Sequence, residues 1–196
     1  MRGVLKNEVI RALKRQQPAL EDLADALMTI FYDKQQDPVV RNYAIQHLSS
    51  WYAKLAEKNK VLDALWAGTT DADPSTQGSA LIALKSLAQP RTNMDKRRLG
   101  SVACGIARDG KASQVARATA LQICAQLGNK EVLPTALALA HEPAGVPLRF
   151  SALAAIGALG GSQQVPLLKS LAAADDARIQ TAARAALTRL QTNPKG

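Results

Sequence analysis

Apolar residues recur at i, i+3 and i+4 along most of the chain, the spacing of helices with one buried face. From Pro18 to Tyr32 the stripe is Leu20, Leu23, Leu27, Ile30 and Phe31, and Glu21, Asp22 and Asp25 favour the positive end of a helix. The break DKQQDPVV follows, with Asp37 placed as an N-cap and Pro38 at the first helical position. The next helix runs to about Tyr52, with Val40, Ala44, Leu48 and Trp51 on one face. A short apolar helix spans Asn59–Trp66, and GTTDADPSTQG is a loop of turn residues. Ser75 or Thr76 would cap the helix that carries Leu81, Leu84 and Leu87. Pro90–Asn93 ends it, Asn93 or Asp95 starts the helix MDKRRLGSVACGIA, and Asp109-Gly110-Lys111 is a turn. Ahead of all this, Val4–Lys14 reads as a short basic amphipathic helix.

Beyond Gln114 the pattern repeats itself. GNKEVLPTALALA, beginning at Gly128, returns at Gly160 as GGSQQVPLLKSLAA, a step of 32 residues. The segment from Val115 to Gly128 returns from Pro147 to Gly160 and again from Arg178 to Leu190, with Ala120, Ala152 and Ala183 in register. Ala44 and Ala80 fill the same position earlier, so the spacings are 36, 40, 32 and 31 residues. A period in this range in an Ala/Leu-rich chain predicts a helical solenoid. The expectation is an all-α, right-handed α-solenoid of about five antiparallel helix pairs. It would comprise a basic capping helix over 1–17, the repeats over 18–190 and a flexible tail over 191–196.

Asp37-Pro38-Val39-Val40-Arg41 with Ala44, and Asp176-Ala177-Arg178 with Ala183 and Ala186-Leu187, follow one pattern. In these positions the chain resembles the HEAT-repeat family, including the short HEAT-like repeats of phycobilisome lyases. Ala116-Arg117 with Ala120, and Leu148-Arg149 with Ala152, keep the pattern in the middle, while Gln77 stands where Arg is usual. The resemblance implies the fold over about Pro18–Leu190 and is nearly silent on function. Physically, the small alanines allow neighbouring backbones to approach. Arg41, Arg117 and Arg149 sit just inside a helix after a turn, where a five-donor fork satisfies loop carbonyls or an aspartate of the next repeat. An anion-binding ladder is the alternative.

Composition narrows the chemistry. Hydrophobic residues make up 47% of the chain but aromatics only 4%, so its apolar content is mostly small and aliphatic. The net charge of +9 admits nucleic acid, an anionic surface or an acidic protein as partner and selects none of them. Cys104 and Cys124, outside any CxxC, read as buried thiols that could pair if adjacent helices bring them together. No apolar run approaches a membrane span. A cytoplasmic location is favoured, with export open if a signal peptide has been removed. His47 and His141 fall in different repeats, and no HExxH, GxSxG or Walker-type motif is present. The glycines of Gly157–Gly161 read as a helix terminus and turn. No catalytic, metal or cofactor site is expected, and the chain reads as a non-enzyme.

Two clusters remain as candidate partner-binding residues. Six of the seven aromatics lie between Phe31 and Trp66, with Phe150 alone later. Trp51, Tyr52 and Trp66 therefore form a possible hot spot, although larger side chains filling irregular repeats explain the clustering as well. Lys96, Arg97 and Arg98 form the densest basic run in the middle of the chain, flanked by Arg91 and Arg108. The expected function is a non-catalytic scaffold or adaptor for another protein, with the inner helices lining its groove. The alternatives are an electrostatic nucleic-acid binding module and an accessory subunit of a lyase-like enzyme.

Overall fold

The computed structural model describes residues 22–55, 57–88, 94–141 and 145–192. The basic helix at Val4–Lys14, the helix start at Pro18, the stop at Pro90–Asn93 and the end of the tail lie outside the described residues. The chain divides into two compact units, Met1–Met94 and Asp95–Gly196. Among the described residues the secondary structure is helical, without a strand.

In the first unit α1 (Asp22–Tyr32) packs on α2 (Pro38–Trp51), α3 (Lys58–Gly68) packs on α4 (Pro74–Leu87), and α2 runs beside α4. In the second unit α5 (Lys96–Arg108) pairs with α6 (Gln114–Gln126), α7 (Leu133–His141) with α8 (Val146–Leu159), and α9 (Val165–Leu171) with α10 (Ala177–Thr192). Here α6, α8 and α10 lie side by side in that order. Each pair thus has a first helix and a second helix, and within each unit neighbouring pairs meet chiefly through their second helices.

The starts of the helices follow local chemistry. Asp37 accepts from the backbone N–H of Val39 at 2.8 Å, with Pro38 at the first helical position. Asp73 does the same for α4, accepting from both the N–H and the hydroxyl of Thr76 at 2.7 Å. This Asp-Pro step, rather than Ser75 or Thr76, is the cap. Asp95 caps α5 through Arg98 N–H at 3.0 Å, and Ser113 caps α6 through Ala116 N–H at 3.1 Å. Such caps are worth about 1 kcal/mol each. α6 ends on Gly128, whose φ of 68° is left-handed. Asn129 N–H reaches Cys124 C=O at 2.9 Å and Gly128 N–H reaches Ala125 C=O at 3.4 Å, the paired bonds of a Schellman ending.

The in-register alanines lie where backbones come together. Ala44, Ala80, Ala120, Ala152 and Ala183 are all fully buried. Gly157 belongs to the same packing. It lies inside α8, not at a turn, and an added Cβ would stand 2.8 Å from Ala186 Cα of α10. The turn after α8 uses Gly160, whose N–H returns to Ile156 C=O at 2.8 Å.

Candidate functional site

The residue just inside each second helix performs one recurring task. Arg41 Nε donates to Phe31 C=O at 2.9 Å, Arg117 Nε to Ala107 C=O at 3.0 Å, and Arg149 Nη2 to Ala140 C=O at 3.2 Å. Gln77 Nε2 reaches Thr69 C=O at 3.1 Å, and Gln180 Nε2 reaches Ala174 C=O at 2.6 Å. Every accepting carbonyl lies at or just beyond the C-terminal end of the paired first helix. Those carbonyls lack partners inside their own helix, so the side chain ties the two helices of each pair together. Gln77, the departure from the arginine pattern, makes the same connection.

Arg41 goes further. Its Nη1 and Nη2 both bond the Asp71 carboxylate in the loop between α3 and α4, the first at 3.2 Å. Lys34 Nζ adds a bond at 2.9 Å and Asp73 N–H one at 3.0 Å. The Arg41 and Asp71 side chains are 6% and 1% exposed. Burial alone would raise the Asp71 pKa, but the bonds from Arg41, Lys34 and Asp73 outweigh it and hold the carboxyl at about 2. The three side-chain donors of Lys34 and Arg41 lock the α1–α2 turn and the first turn of α2 to the α3–α4 loop. Phe31 lies beneath the Arg41 guanidinium, 5.5 Å from its ring centre.

The proposed aromatic hot spot is placed differently from the expectation. Trp51 is 3% and Trp66 9% exposed, so both fill the core of the first unit and leave no ring face for a partner. Tyr52, one step further on, starts a short 3-10 turn, Tyr52–Lys54, and is half-buried. Adjacent helical positions diverge by about 100°, and here the inward one is Trp51.

Lys96, Arg97 and Arg98 occupy the first turn of α5 and are exposed. The helix dipole disfavours cations at that end. Arg108, at the other end of α5, donates to Glu131 C=O at 2.7 Å. Cys104 on α5 and Cys124 on α6 are buried free thiols, their Sγ atoms 3.2 Å apart. Burial, and then Cys104, push the Cys124 pKa far up, which keeps the thiol protonated and a poor nucleophile. Among the described residues no group of three His, Cys, Asp or Glu side chains is placed to hold a metal ion, and no helix is long and apolar enough to cross a membrane.

An open, largely apolar groove lies on the second-helix face of the second unit. α8 and α10 border a groove of about 650 Å³ lined by Phe150, Ala154, Thr181, Ala182, Ala185 and Ala186 among others, with Arg178 and Arg189 along it. Phe150 is 36% exposed here and Val115 of α6 68% exposed, unusual for large apolar side chains. α8 and α10 meet closely at Gly157 and Ala186, and Ala186 is also one of the groove residues.

Residues 106–188 match the sequence model of the HEAT repeats. No curated protein matches the chain significantly. Among solved structures, an engineered protein known from its crystal structure is 17% identical, with 95% of this chain and 97% of that one covered and a TM-score of 0.58. Human deoxyhypusine hydroxylase in complex with glycerol is 15% identical, with 97% of this chain and 81% of that one covered and a TM-score of 0.45. At 17% identity the likeness to the engineered protein is one of fold alone. The chain is therefore similar to HEAT-repeat proteins in architecture, and its sequence match falls within the second unit, from the end of α5 into α10.

Proposed function

We propose that the protein is a non-catalytic scaffold or adaptor that binds another protein through the second-helix face of its second unit. One observation carries the reading: the apolar groove at Phe150, open on a face built from rigid, mutually packed helices. Repeat proteins hold such faces ready, so that little ordering cost falls on binding. Comparing capture from the native organism's extract by the wild type and by Phe150→Asp tests this. Phe150 lines the rim, so the change should leave the fold intact while placing an unpaired charge in the interface. Proteins held by the wild type should be lost from the variant. An unchanged set would remove this face from the account.

The cations of Lys96, Arg97 and Arg98 favour a second reading, binding of nucleic acid. A phosphate-binding cluster releases counterions, so its affinity falls steeply with salt. With labelled duplex and single-stranded DNA and RNA, fluorescence anisotropy at physiological salt should give only weak, non-specific binding. Tight binding there, abolished by changing all three residues to alanine, would promote this reading over the protein scaffold.

A further inference from the structure

The charge on the second-helix face is one-sided. None of the five second helices contains an Asp or Glu. In the second unit α6, α8 and α10 carry Arg117, Arg149, Arg178, Arg184 and Arg189 and no carboxylate. Arg117 and Arg149 are turned toward carbonyls of their paired helices, and Arg184 reaches Ala172 C=O and Gln180. Arg178 and Arg189 are the two that line the groove. Arg178 is held by Asp176 at 2.9 and 3.1 Å yet remains 65% exposed at its side chain. Arg189 is exposed and has no ion pair among the described residues.

We propose that the occupant of this groove is an amphipathic helix of another protein, with large apolar side chains along one stripe and carboxylates flanking it. This rests on the scaffold reading above and specifies its partner. Arg178, Thr181, Ala182, Ala185 and Arg189 follow one another at i, i+3, i+4, i+7 and i+11, which share one face of α10. From the first to the last is roughly 16 Å, about three turns. Between the arginines the floor is alanine and threonine, so the bulky groups that fill the space must come from the ligand. The walls are helices whose backbone groups bond within themselves, leaving no strand edge to extend. An occupant must then satisfy its own backbone, which a helix does. The arginines attract acidic flanks and repel basic ones.

The test is selection of a displayed peptide library by the full-length protein at physiological salt. The peptides are about three to four helical turns long, with acidic and basic residues equally represented. Enriched peptides should carry leucine, isoleucine or phenylalanine at i, i+4 and i+7 and a net negative charge. A representative peptide should bind about tenfold tighter than its Glu-to-Lys version. Arg178→Glu with Arg189→Glu should turn the selection toward basic peptides. Ala185→Trp, which fills the groove and keeps both arginines, should abolish it, with far-ultraviolet dichroism confirming each fold. Neutral or basic enrichment, no enrichment, occupation by a second copy of the chain, or acidic peptides retained by both variants would overturn the proposal. If native partners still depend on Phe150 in such a case, the scaffold reading stands and only the acidic helix falls.

Discussion

Replacing Asp71 with alanine should destabilise the first unit by about 3–5 kcal/mol, the usual effect of removing one partner from a buried ion pair. The Arg41 guanidinium would keep its bond to Phe31 C=O but lose both bonds to the carboxylate, leaving a buried cation without its counter-charge. A domain of this size has a total stability of about 5–15 kcal/mol, so the loss is a large fraction of it. Both tryptophans of the chain, Trp51 and Trp66, are buried in this unit. Their fluorescence during denaturant unfolding therefore reports it separately. The midpoint should fall sharply, and an unchanged midpoint would show that Asp71 does not hold the two helix pairs together. The effect also has a pH signature. The folded-state carboxyl is depressed to about 2 from an ordinary 3.8. Its contribution is complete above the ordinary value and is lost as pH falls from 4 toward 2. The gap between wild type and Asp71→Ala should narrow over that window.

Substitution of Gly157 should act on the second unit with nearly the same force. Alanine in place of a helical glycine normally gains about 0.5–1 kcal/mol. At Gly157 the added Cβ meets Ala186 Cα at 2.8 Å, Cβ at 3.0 Å and C=O at 3.1 Å. Two of those three atoms are backbone and cannot rotate aside. Overpacking costs about 1–3 kcal/mol, so even Gly157→Ala should be a net loss, and Gly157→Leu should cost about 3 kcal/mol or more. Gly105 supplies the control, because nothing lies within 4 Å of its added Cβ. Gly105→Ala, inside α5, should stabilise. Helical ellipticity during denaturant unfolding reads all three. If Gly157→Ala behaves like Gly105→Ala, α8 and α10 do not meet at that point.

The repeats were legible because their signal is local and recurs. Caps, the alanine register and the position just inside each second helix all fall within a few residues of one another. The arginines could be read as donors to loop carbonyls from their placement after a turn. The partner Asp71 could not be chosen that way, since it lies 30 residues from Arg41 in a loop marked only by turn residues. Gln77 looked like a break in the pattern, yet an amide carries one of the same donors, and it makes the same bond. Ser75 and Thr76 are cap residues by type, but Asp73-Pro74 repeats the Asp37-Pro38 signal, and Asp73 is the cap. Gly157 was hidden among the glycines of the following turn. The clustering of aromatics in sequence does not reveal which are buried, because the burial of Trp51 and Trp66 depends on tertiary packing. The groove depends on packing between α8 and α10 as well. In the sequence its traces are Phe150, the lone aromatic of the regular repeats, and the lack of carboxylates on the second helices.

That the second-helix face of the second unit meets the partner can be measured by placing a photo-crosslinking amino acid at single positions and irradiating the complex with its captured partner. Positions 150 and 185 lie on the groove, whereas 138 and 169 are exposed on first helices α7 and α9. Crosslinks from 150 and 185, and none from 138 or 169, are the predicted result. Crosslinks from 138 and 169 with none from 150 or 185 would contradict the account.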